Sequence, residues 1–409
     1  DFFTRRDRPT TATAGGRQTK SAPLPPPRAV ILTRRFEAVP IPPAPAPDAN
    51  SASGSGGDII PELVPPRRTI RFRRGETEKS SHHYERHRKK SVSKNRCAPA
   101  HDWMDRSFPT CNSVHEFDLS DSHPGQGFLI NNGHFRDVWV IEEYNGAKRV
   151  LKTLRTTHDF DYRSYDKERK DAVAMERLTS SPYIPEIFGY CFTSGLFELA
   201  PHADLLTHIR TEKWRDGIGN SNKLKIAHQV ASALADVHEL DIAHTDIASK
   251  QYILINGIYK LNDFNRCTFM TRDRKTHEKC TFYVGKNPGV SRSPEEYEYK
   301  HLTEKIDVYS MGNIFYSLLM GFKVFTDVRS SKAQKIVMAG GRPKLSEEIE
   351  KSSDPFEIVL LHAMRMCQAQ DRKERASARE VVRFLDAELD RLSIERSPIS
   401  IMQHGVILS

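Results

Sequence analysis

The sequence has no long apolar run and no regular cysteine pattern. No stretch of 18 apolar residues occurs, so we expect no membrane span within this chain. The cysteines form no C-x-x-C pair, which argues against a zinc site and against a disulfide framework. We therefore predict free thiols and a reducing compartment, the cytoplasm or the nucleus. The six cysteines are Cys97, Cys111, Cys191, Cys267, Cys280 and Cys367.

Large apolar side chains are scarce in the first part of the chain. Hydrophobic residues make up only 38% of the 409 residues, which indicates that a sizeable part does not fold. Residues 1–115 hold 15 of the 24 prolines, and 21 Lys and Arg against 11 Asp and Glu, whereas the remainder holds 41 against 42. We predict that 1–115 is a disordered, basic, proline-rich region. Because the first residue is Asp rather than Met, we also expect upstream residues to be missing.

Two segments of this region suggest partners. Residues 23–28, "PLPPPR", fit the P-x-x-P-x-R ligand of a Src-homology domain. Residues 67–96 form a basic cluster, which is typical of a solvated linker and also fits a nuclear-import or acidic-surface patch. No specific nucleic-acid partner is predicted.

From residue 116 onward the sequence becomes periodic. Apolar and polar side chains first alternate, as in strands, and then recur at helical spacing. We predict an α+β fold of two lobes: a small β-rich lobe with one helix at 116–199, a larger helical lobe at 200–390, and a tail at 391–409. Strands are predicted at 127–141, 147–154 and 194–200, and helices at 165–178, 222–240, 307–321, 355–367 and 377–389.

Two short segments each place an aspartate beside apolar runs. The segment "IAHTDIASKQYIL" at 242–254 contains Asp246, and "KLNDFNRC" at 260–267 contains Asp263. Two lone carboxylates so close together arise either by chance or from a site that handles metal-bound phosphate.

Together with their neighbours, these segments resemble the catalytic elements of eukaryotic protein kinases. The segment "HTDIASKQ" is similar to the H-R-D-L-x-x-x-N motif, and "DFN" is similar to D-F-G. The resemblance covers about residues 120–390 and implies a two-lobed, ATP-dependent phosphotransferase. Three more segments resemble structural motifs of the family: "RSPEEY" with Glu295 as a buried acid, "DRKERAS" with Arg375 as the partner of that acid, and "DVYSMG" with Asp307 as the residue that holds the catalytic-loop backbone.

The resemblance implies a cationic clamp in the first lobe. Lys152, which ends "RVLK", would bridge the α- and β-phosphates of ATP. An acid on the next helix would hold that lysine. Asp171 is the preferred acid, and Glu168 and Glu176 are the alternatives.

The segment "LFELA" resembles the hinge that binds adenine. Phe197 would be the gatekeeper, and the backbone of Glu198 and Ala200 would meet the adenine edge. Val150 stands where kinases usually keep Ala. A bulky gatekeeper together with this valine predicts a tight adenine pocket.

The catalytic loop and the metal site are implied by the second lobe. Asp246 would accept or orient the proton of the substrate hydroxyl, and Lys250 would neutralise the transferred phosphate. Asp263 would bind Mg²⁺ or Mn²⁺. Gln251 replaces the metal-binding Asn, and its longer arm would hold a second ion less well. Asn265 stands in place of Gly, where we expect a positive φ that Asn tolerates.

The glycine-rich loop is the poorest match. "NNGHFRDV" keeps Gly133, Phe135 and Val138, but side chains replace the outer glycines, and one of them is Arg136. Backbone N–H groups of such a loop lie over the phosphates, where side chains obstruct close approach. Donation from Arg136 to a phosphate is the alternative.

The activation segment lacks one expected partner. Thr245 replaces the Arg of H-R-D, which in kinases binds a phosphate on that segment. We therefore predict that phosphorylation there changes activity little. The hydroxyl residues concerned are Thr271, Thr276, Thr281, Tyr283 and Ser291.

Two classes of function follow from these residues. Lys152, Asp246 and Asp263 together favour an active protein kinase that phosphorylates Ser/Thr or Tyr of a protein substrate. The altered glycine loop, Gln251 and Asp171 favour a pseudokinase, which would act as a nucleotide-binding or scaffold module. A kinase for small molecules is disfavoured by the A-P-E-like segment and the long helical lobe. The choice between Ser/Thr and Tyr stays open.

Overall fold

The structure, a computed structural model, describes residues 96–399 apart from several gaps. Three predicted features lie outside the described residues. They are the Src-homology ligand at 23–28, the basic cluster at 67–96 except for its last residue, and the end of the tail at 400–409. The gaps are 106–108, 116–126, 134, 144–145, 159, 212–213, 215–216 and 286.

A short segment ahead of the sheet contains ordered elements. They are strand β1 (Cys97–Pro99), a 3₁₀ turn (Asp102–Asp105) and helix α1 (Cys111–His115). The strand pairs antiparallel with residues Thr271–Asp273, far along the chain. The prediction of disorder throughout 1–115 is therefore wrong for 96–105 and 109–115. Elements this short carry no readable periodicity, and they are stabilised by distant partners.

Two disulfides join this segment to the rest of the chain. Cys97 is bonded to Cys280, and Cys111 is bonded to Cys191. The prediction of free thiols is wrong for these four residues. Because disulfides form and persist in oxidising environments, the expected cytoplasmic or nuclear location loses its argument from the cysteines and stays a prediction. The free cysteines, both buried, are Cys267 and Cys367.

The first lobe contains a five-stranded antiparallel sheet. Its strands are β2 (Gly127–Asn132), β3 (Arg136–Glu142), β4 (Lys148–Leu154), β5 (Ile187–Cys191) and β6 (Ser194–Glu198). Their order in the sheet is β2-β3-β4-β6-β5. The strands predicted at 147–154 and 194–200 are confirmed, whereas the strand predicted at 127–141 is two separate strands, β2 and β3, and β5 was not predicted. Val138 lies opposite Lys152, and Arg136 lies opposite Leu154. Because side chains alternate along a strand, Arg136 and Lys152 project from the same face of the sheet.

One long helix packs beside this sheet. Helix α2 spans Tyr162–Arg177, and Asp161 caps it by accepting the backbone N–H of Ser164 at 2.6 Å. Its buried face includes Ala172 and Met175, two of the apolar residues from which the helix was predicted. The same turns carry the acids Glu168 and Asp171 inward.

The second lobe is mostly helical, as predicted. Helix α4 buries every residue of its predicted apolar stripe, for instance Leu224 and Leu234, and each such leucine contributes about 1.5–3 kcal/mol. No helix in the described part of the chain is long and apolar enough to cross a membrane. The helices of this lobe are α3 (Leu205–Ile209), α4 (Asn220–Glu239), α5 (Pro294–Tyr297), α6 (Lys305–Met320), α7 (Ser330–Met338), α8 (Glu347–Glu350), α9 (Pro355–Cys367) and α10 (Ala378–Arg391). Its short strands are β7 (Ile242–Ala243), β8 (Tyr252–Ile255), β9 (Ile258–Leu261), β10 (Thr268–Phe269) and β11 (Thr271–Asp273).

Candidate active site

A buried arginine of the first lobe contacts three acids. Arg136, the first residue of β3, donates from Nη1 to Oε2 of Glu168 at 2.7 Å and to Oδ2 of Asp171 at 2.8 Å. Its Nη2 donates to Oδ1 of Asp263 at 3.2 Å. Burial alone would lower the pKa of the guanidinium, but the three carboxylates raise it above its ordinary value. In the sequence Arg136 stands in place of a glycine, and its three acidic partners are not evident there.

Asp171 connects helix α2 to the Asp263 segment. Its side chain is 1% exposed, and Oδ1 accepts the backbone N–H of Phe264 at 2.6 Å. Burial would raise the pKa of Asp171, but the attraction of Arg136 and Lys152 holds it below its usual value. Burial raises the pKa of Glu168 to about 7, although Arg136 opposes that shift. Asp171 therefore links the arginine to the backbone that follows Asp263.

Lys152 lies beside this cluster and forms no ion pair with any residue in the described part of the chain. Its Nζ donates to Oδ1 of Asn262 at 3.0 Å and lies 4.5 Å from the centre of the Phe197 ring. Burial lowers the pKa of Lys152, and repulsion from Arg136 adds to that effect. The expected pair between Lys152 and Asp171 is not formed within the described residues, because Arg136 holds the acid. The role of Lys152 toward phosphate stays a prediction.

The predicted adenine pocket is lined by bulky side chains. Val150 lies opposite Phe197 in neighbouring strands, and the two are 7% and 3% exposed. The carboxylate of Glu198 accepts a hydrogen bond from Nζ of Lys260 at 2.7 Å, which ties the end of β6 to β9. Ala200 lies two residues after Glu198 and is half-buried. The narrow adenine pocket and the contacts with adenine stay predictions.

The catalytic-loop backbone is held by a buried aspartate, as predicted. Asp307 of α6 accepts the N–H of His244 at 2.7 Å and the N–H of Thr245 at 2.8 Å. Thr245 has a φ of 60°, in the left-handed region, and its hydroxyl donates to the carbonyl of Arg266 at 2.8 Å. The loop conformation is therefore fixed before any ligand binds.

Asp246 contacts an arginine that the sequence analysis did not identify. Arg292 donates from Nη2 to Oδ1 of Asp246 at 2.7 Å, and Nε2 of Gln251 donates to Oδ2 at 3.0 Å. Arg266 lies 3.7 Å from the same carboxylate. Lys250, the predicted phosphate partner, is exposed. The positive charge closest to Asp246 therefore comes from the two arginines.

Asp263 would hold the metal ion, and one of its carboxylate oxygens has hydrogen-bond partners. Oδ1 accepts hydrogen bonds from Arg136 and from the amide of Asn265. Among the residues that the structure describes, no three His, Cys, Asp or Glu side chains lie close enough together to form a metal site. Mg²⁺ in phosphate sites needs only one or two carboxylates, because phosphates and water complete its shell. The residues thus fit one metal ion, and Gln251 would offer an amide oxygen.

The backbone of this motif differs from the prediction in one respect. The positive φ is at Asp263 (69°) rather than at Asn265, which lies in a 3₁₀ turn over Phe264–Arg266. Asp is among the residues that tolerate this conformation. The expectation for Asn265 was wrong because the chain reverses two residues earlier.

The predicted residues of the glycine loop are only partly buried. The N–H of Gly133 donates to the carbonyl of Arg136 at 2.8 Å, and Arg155 donates to the carbonyl of Gly133 at 3.1 Å. Phe135 is 40% exposed, whereas Val138 packs against the main core. The loop is closed by its own backbone, and its role over the phosphates stays a prediction.

The ion pair predicted between the motifs "RSPEEY" and "DRKERAS" is present. Arg375 donates to both carboxylate oxygens of Glu295, at 2.7 and 3.2 Å, and its side chain is fully buried. Breaking such a buried pair typically costs about 3–5 kcal/mol. The predicted partnership is confirmed.

Comparison with known proteins agrees with these motifs. The model of the protein tyrosine and serine/threonine kinase family matches residues 128–385. The chain is 27% identical over 266 residues to a Wee1-like protein kinase of Oryza sativa subsp. japonica, which covers 62% of this chain and 45% of that protein. It is 30% identical over 214 residues to an Aurora kinase of Schizosaccharomyces pombe, which covers 51% and 57%. The chain thus spans about half the length of the curated relatives that it matches.

Proposed function

This chain belongs to the protein tyrosine and serine/threonine kinase family, and from that premise we propose that it transfers the γ-phosphate of ATP to a hydroxyl group of a protein substrate. The observation that carries the proposal is that cationic side chains of the first lobe lie within hydrogen-bond distance of the Asp263 segment of the second lobe. Arg136 of the first lobe lies 3.2 Å from Asp263 of the second, and Lys152 lies 3.0 Å from the neighbouring Asn262. A triphosphate bound between the lobes would meet the ammonium group of Lys152 from the first lobe and a metal ion held by Asp263 from the second.

Each residue has a task in this proposal. Lys152 binds the α- and β-phosphates, and Asp263 holds Mg²⁺ or Mn²⁺, which neutralises charge that develops on the phosphate oxygens. Asp246 accepts the proton of the attacking hydroxyl on its carboxylate. Arg292 keeps that carboxylate oriented through Oδ1. Phe197 and Val150 limit the room for the adenine ring.

Replacement of the two aspartates tests the activity. We expect Asp246→Asn and Asp263→Asn to lower the rate of phosphate transfer from labelled ATP by roughly 10²-fold or more, because each removes a charge that the reaction needs. The matched control is Asp390→Asn, since Asp390 is 66% exposed and pairs only with Arg396 among the described residues. The full chain, produced with its disulfides intact, is assayed on peptide pools that contain Ser, Thr or Tyr. Phosphoamino-acid analysis then identifies the hydroxyl.

One observation favours the second candidate, a nucleotide-binding scaffold. Both catalytic acids are engaged by arginines, Asp263 by Arg136 and Asp246 by Arg292, and both pairs would have to coexist with substrates. ATP binding that stabilises the wild type against heat, with no transfer to any peptide pool, would support the scaffold. Transfer by the wild type that Asp263→Asn abolishes would reject it.

A further inference from the structure

The arginine at the start of β3 makes the contacts with acids that the strand lysine was expected to make. Arg136 contacts Glu168 and Asp171 of helix α2, whereas Lys152 contacts only the amide of Asn262 and the Phe197 ring among the described polar and aromatic groups. Both side chains project from the same face of the sheet, on neighbouring strands. The two cations are therefore close together but have different partners.

The contacts of Arg136 link three parts of the site. One carboxylate, Asp171, accepts from Arg136 through Oδ2 and from the backbone of Phe264 through Oδ1. The same guanidinium reaches Asp263, the residue before Phe264. Helix α2, the sheet and the metal-binding segment are thus joined through one buried side chain that is 10% exposed. A planar guanidinium can serve several carboxylates at once, which an ammonium group does less well.

We propose that Arg136 is a positioning residue that holds Asp263 and helix α2 in the orientation needed to bind metal and nucleotide, while Lys152 alone supplies the cation for the phosphates. The inference rests on the proposed function and divides between two residues a task that one lysine was expected to perform. It also assigns the task of Asp171: this acid is the partner of Arg136 rather than of Lys152.

Nucleotide binding with and without metal separates this role from direct phosphate binding. We expect Lys152→Gln to weaken ADP binding roughly tenfold in EDTA and in Mg²⁺ alike, because a phosphate ligand acts in both conditions. Arg136→Gln should leave the affinity in EDTA within about threefold and should remove most of the gain that Mg²⁺ gives, because Asp263 is no longer oriented. Arg136→Lys should restore part of that gain. Arg163→Gln, an exposed arginine on the same helix as Asp171, is the control and should match the wild type.

Thermal unfolding gives a second readout that needs no ligand. Arg136→Gln and Asp171→Asn each break the same buried contact, so the double variant should melt no lower than the less stable single variant. If an active wild type is obtained, Arg136→Gln should lower kcat more than it raises KM for ATP.

Three outcomes would overturn the proposal. Equal loss of ADP affinity in EDTA for Arg136→Gln and Lys152→Gln would make Arg136 a phosphate ligand. An unchanged Mg²⁺ gain in Arg136→Gln would remove its positioning role. Additive melting of the Arg136 and Asp171 variants would deny their coupling. A wild type that binds nucleotide without turnover would reject only the proposed enzyme activity, and the binding and melting results would still decide the role of Arg136.

Discussion

Arg292 serves two carboxylates that have different tasks. Its Nη2 contacts Asp246, and its Nη1 lies 3.2 Å from Oε1 of Glu296, a side chain that is 1% exposed. Glu296 also accepts the N–H and the hydroxyl of Ser293, which forms a capping box at the start of α5. The orientation of Asp246, the proposed proton acceptor, is thus coupled to the stability of a buried helix start.

Loss of this arginine should affect stability as well as activity. We expect Arg292→Met to destabilise the protein by about 3 kcal/mol, because it leaves Glu296 buried without its cation. Arg292→Lys should recover part of the loss. Urea unfolding measures the effect, and Arg274→Met, at an exposed arginine, is the control. An Arg292→Met protein as stable as the wild type would show that the pair contributes no net stability.

The titration of Glu296 predicts a pH dependence of stability. Burial raises its pKa to about 7 from 4.5, against the attraction of Arg292. The folded state therefore binds the proton more tightly than the unfolded state, so the stability from this group is complete below pH 4.5 and is lost as the pH rises through 7. Between pH 5 and pH 8 the wild type should lose stability relative to Glu296→Gln, by at most about 3 kcal/mol. A difference between the two proteins that does not change with pH would contradict this.

Single residues show how far sequence reasoning reaches. Asp246 and Asp263 could be selected as candidates because each stands alone beside apolar runs in a motif of fixed spacing, and their roles stay predictions. The contacts of Arg136 could not be predicted, because its partners lie 32 to 127 residues away in the sequence. Its own position shows only that a glycine of the motif has been replaced. The contacts of Arg292 with Asp246 and Glu296 could not be predicted either. An arginine where the matched motif has a glycine is the signal that could have identified Arg136.

At the scale of elements, the activation segment is held by contacts that need no phosphate. Strand β11 pairs with β1, and Arg272 donates to both oxygens of Asp241, at 2.8–3.0 Å. Lys279 lies 3.3 Å from the same carboxylate, which is 4% exposed. These contacts fix the segment through the N-terminal strand and the loop that precedes β7.

Phosphate mimics on this segment should therefore have little effect. Thr276→Glu and Thr281→Glu, both at exposed positions, should change the transfer rate by less than about threefold, because Thr245 offers no cation to a phosphate there. Arg272→Ala is the contrasting variant and should lower the rate, since it releases the segment from Asp241. Strong activation by either glutamate would contradict the prediction. The rate with labelled ATP is the measurement.

The long elements could be predicted, and the short ones could not. Helix α9 was predicted at its observed bounds, and α4, α6 and α10 within about two residues, because their apolar faces extend over several turns. Strand β1 has three residues and helix α1 has five, too few for a period to be read. Strand β1 is stabilised by pairing with β11, and helix α1 by contact with β5. No local sequence pattern reveals these contacts.

At the scale of the whole molecule, the order of motifs was sufficient to predict two lobes, but the cross-links required the structure. The partners in the two disulfides are 183 and 80 residues apart. Which cysteines form disulfides cannot be deduced from their positions alone. Nothing in the sequence therefore argued against the hypothesis that all six are free thiols.

Removal of the longer cross-link should lower stability. We expect Cys97→Ser with Cys280→Ser to cost about 2–4 kcal/mol, because the bond restricts the unfolded chain. Denaturation with and without reductant measures this: the stability of the wild type should fall on reduction by more than that of the double variant. Equal responses to reductant would mean that the bond between Cys97 and Cys280 contributes nothing.

The same bond changes what a protease can release. A cut between Cys97 and Cys111 would divide the chain into two polypeptides, yet the upstream piece, with its proline-rich residues, would remain attached to the activation segment through Cys280. Electrophoresis without reductant would show one band, and with reductant two. Any partner that binds the upstream piece would therefore remain attached to the kinase domain after proteolysis. It would be released only when a thiol reduces the disulfide between Cys97 and Cys280.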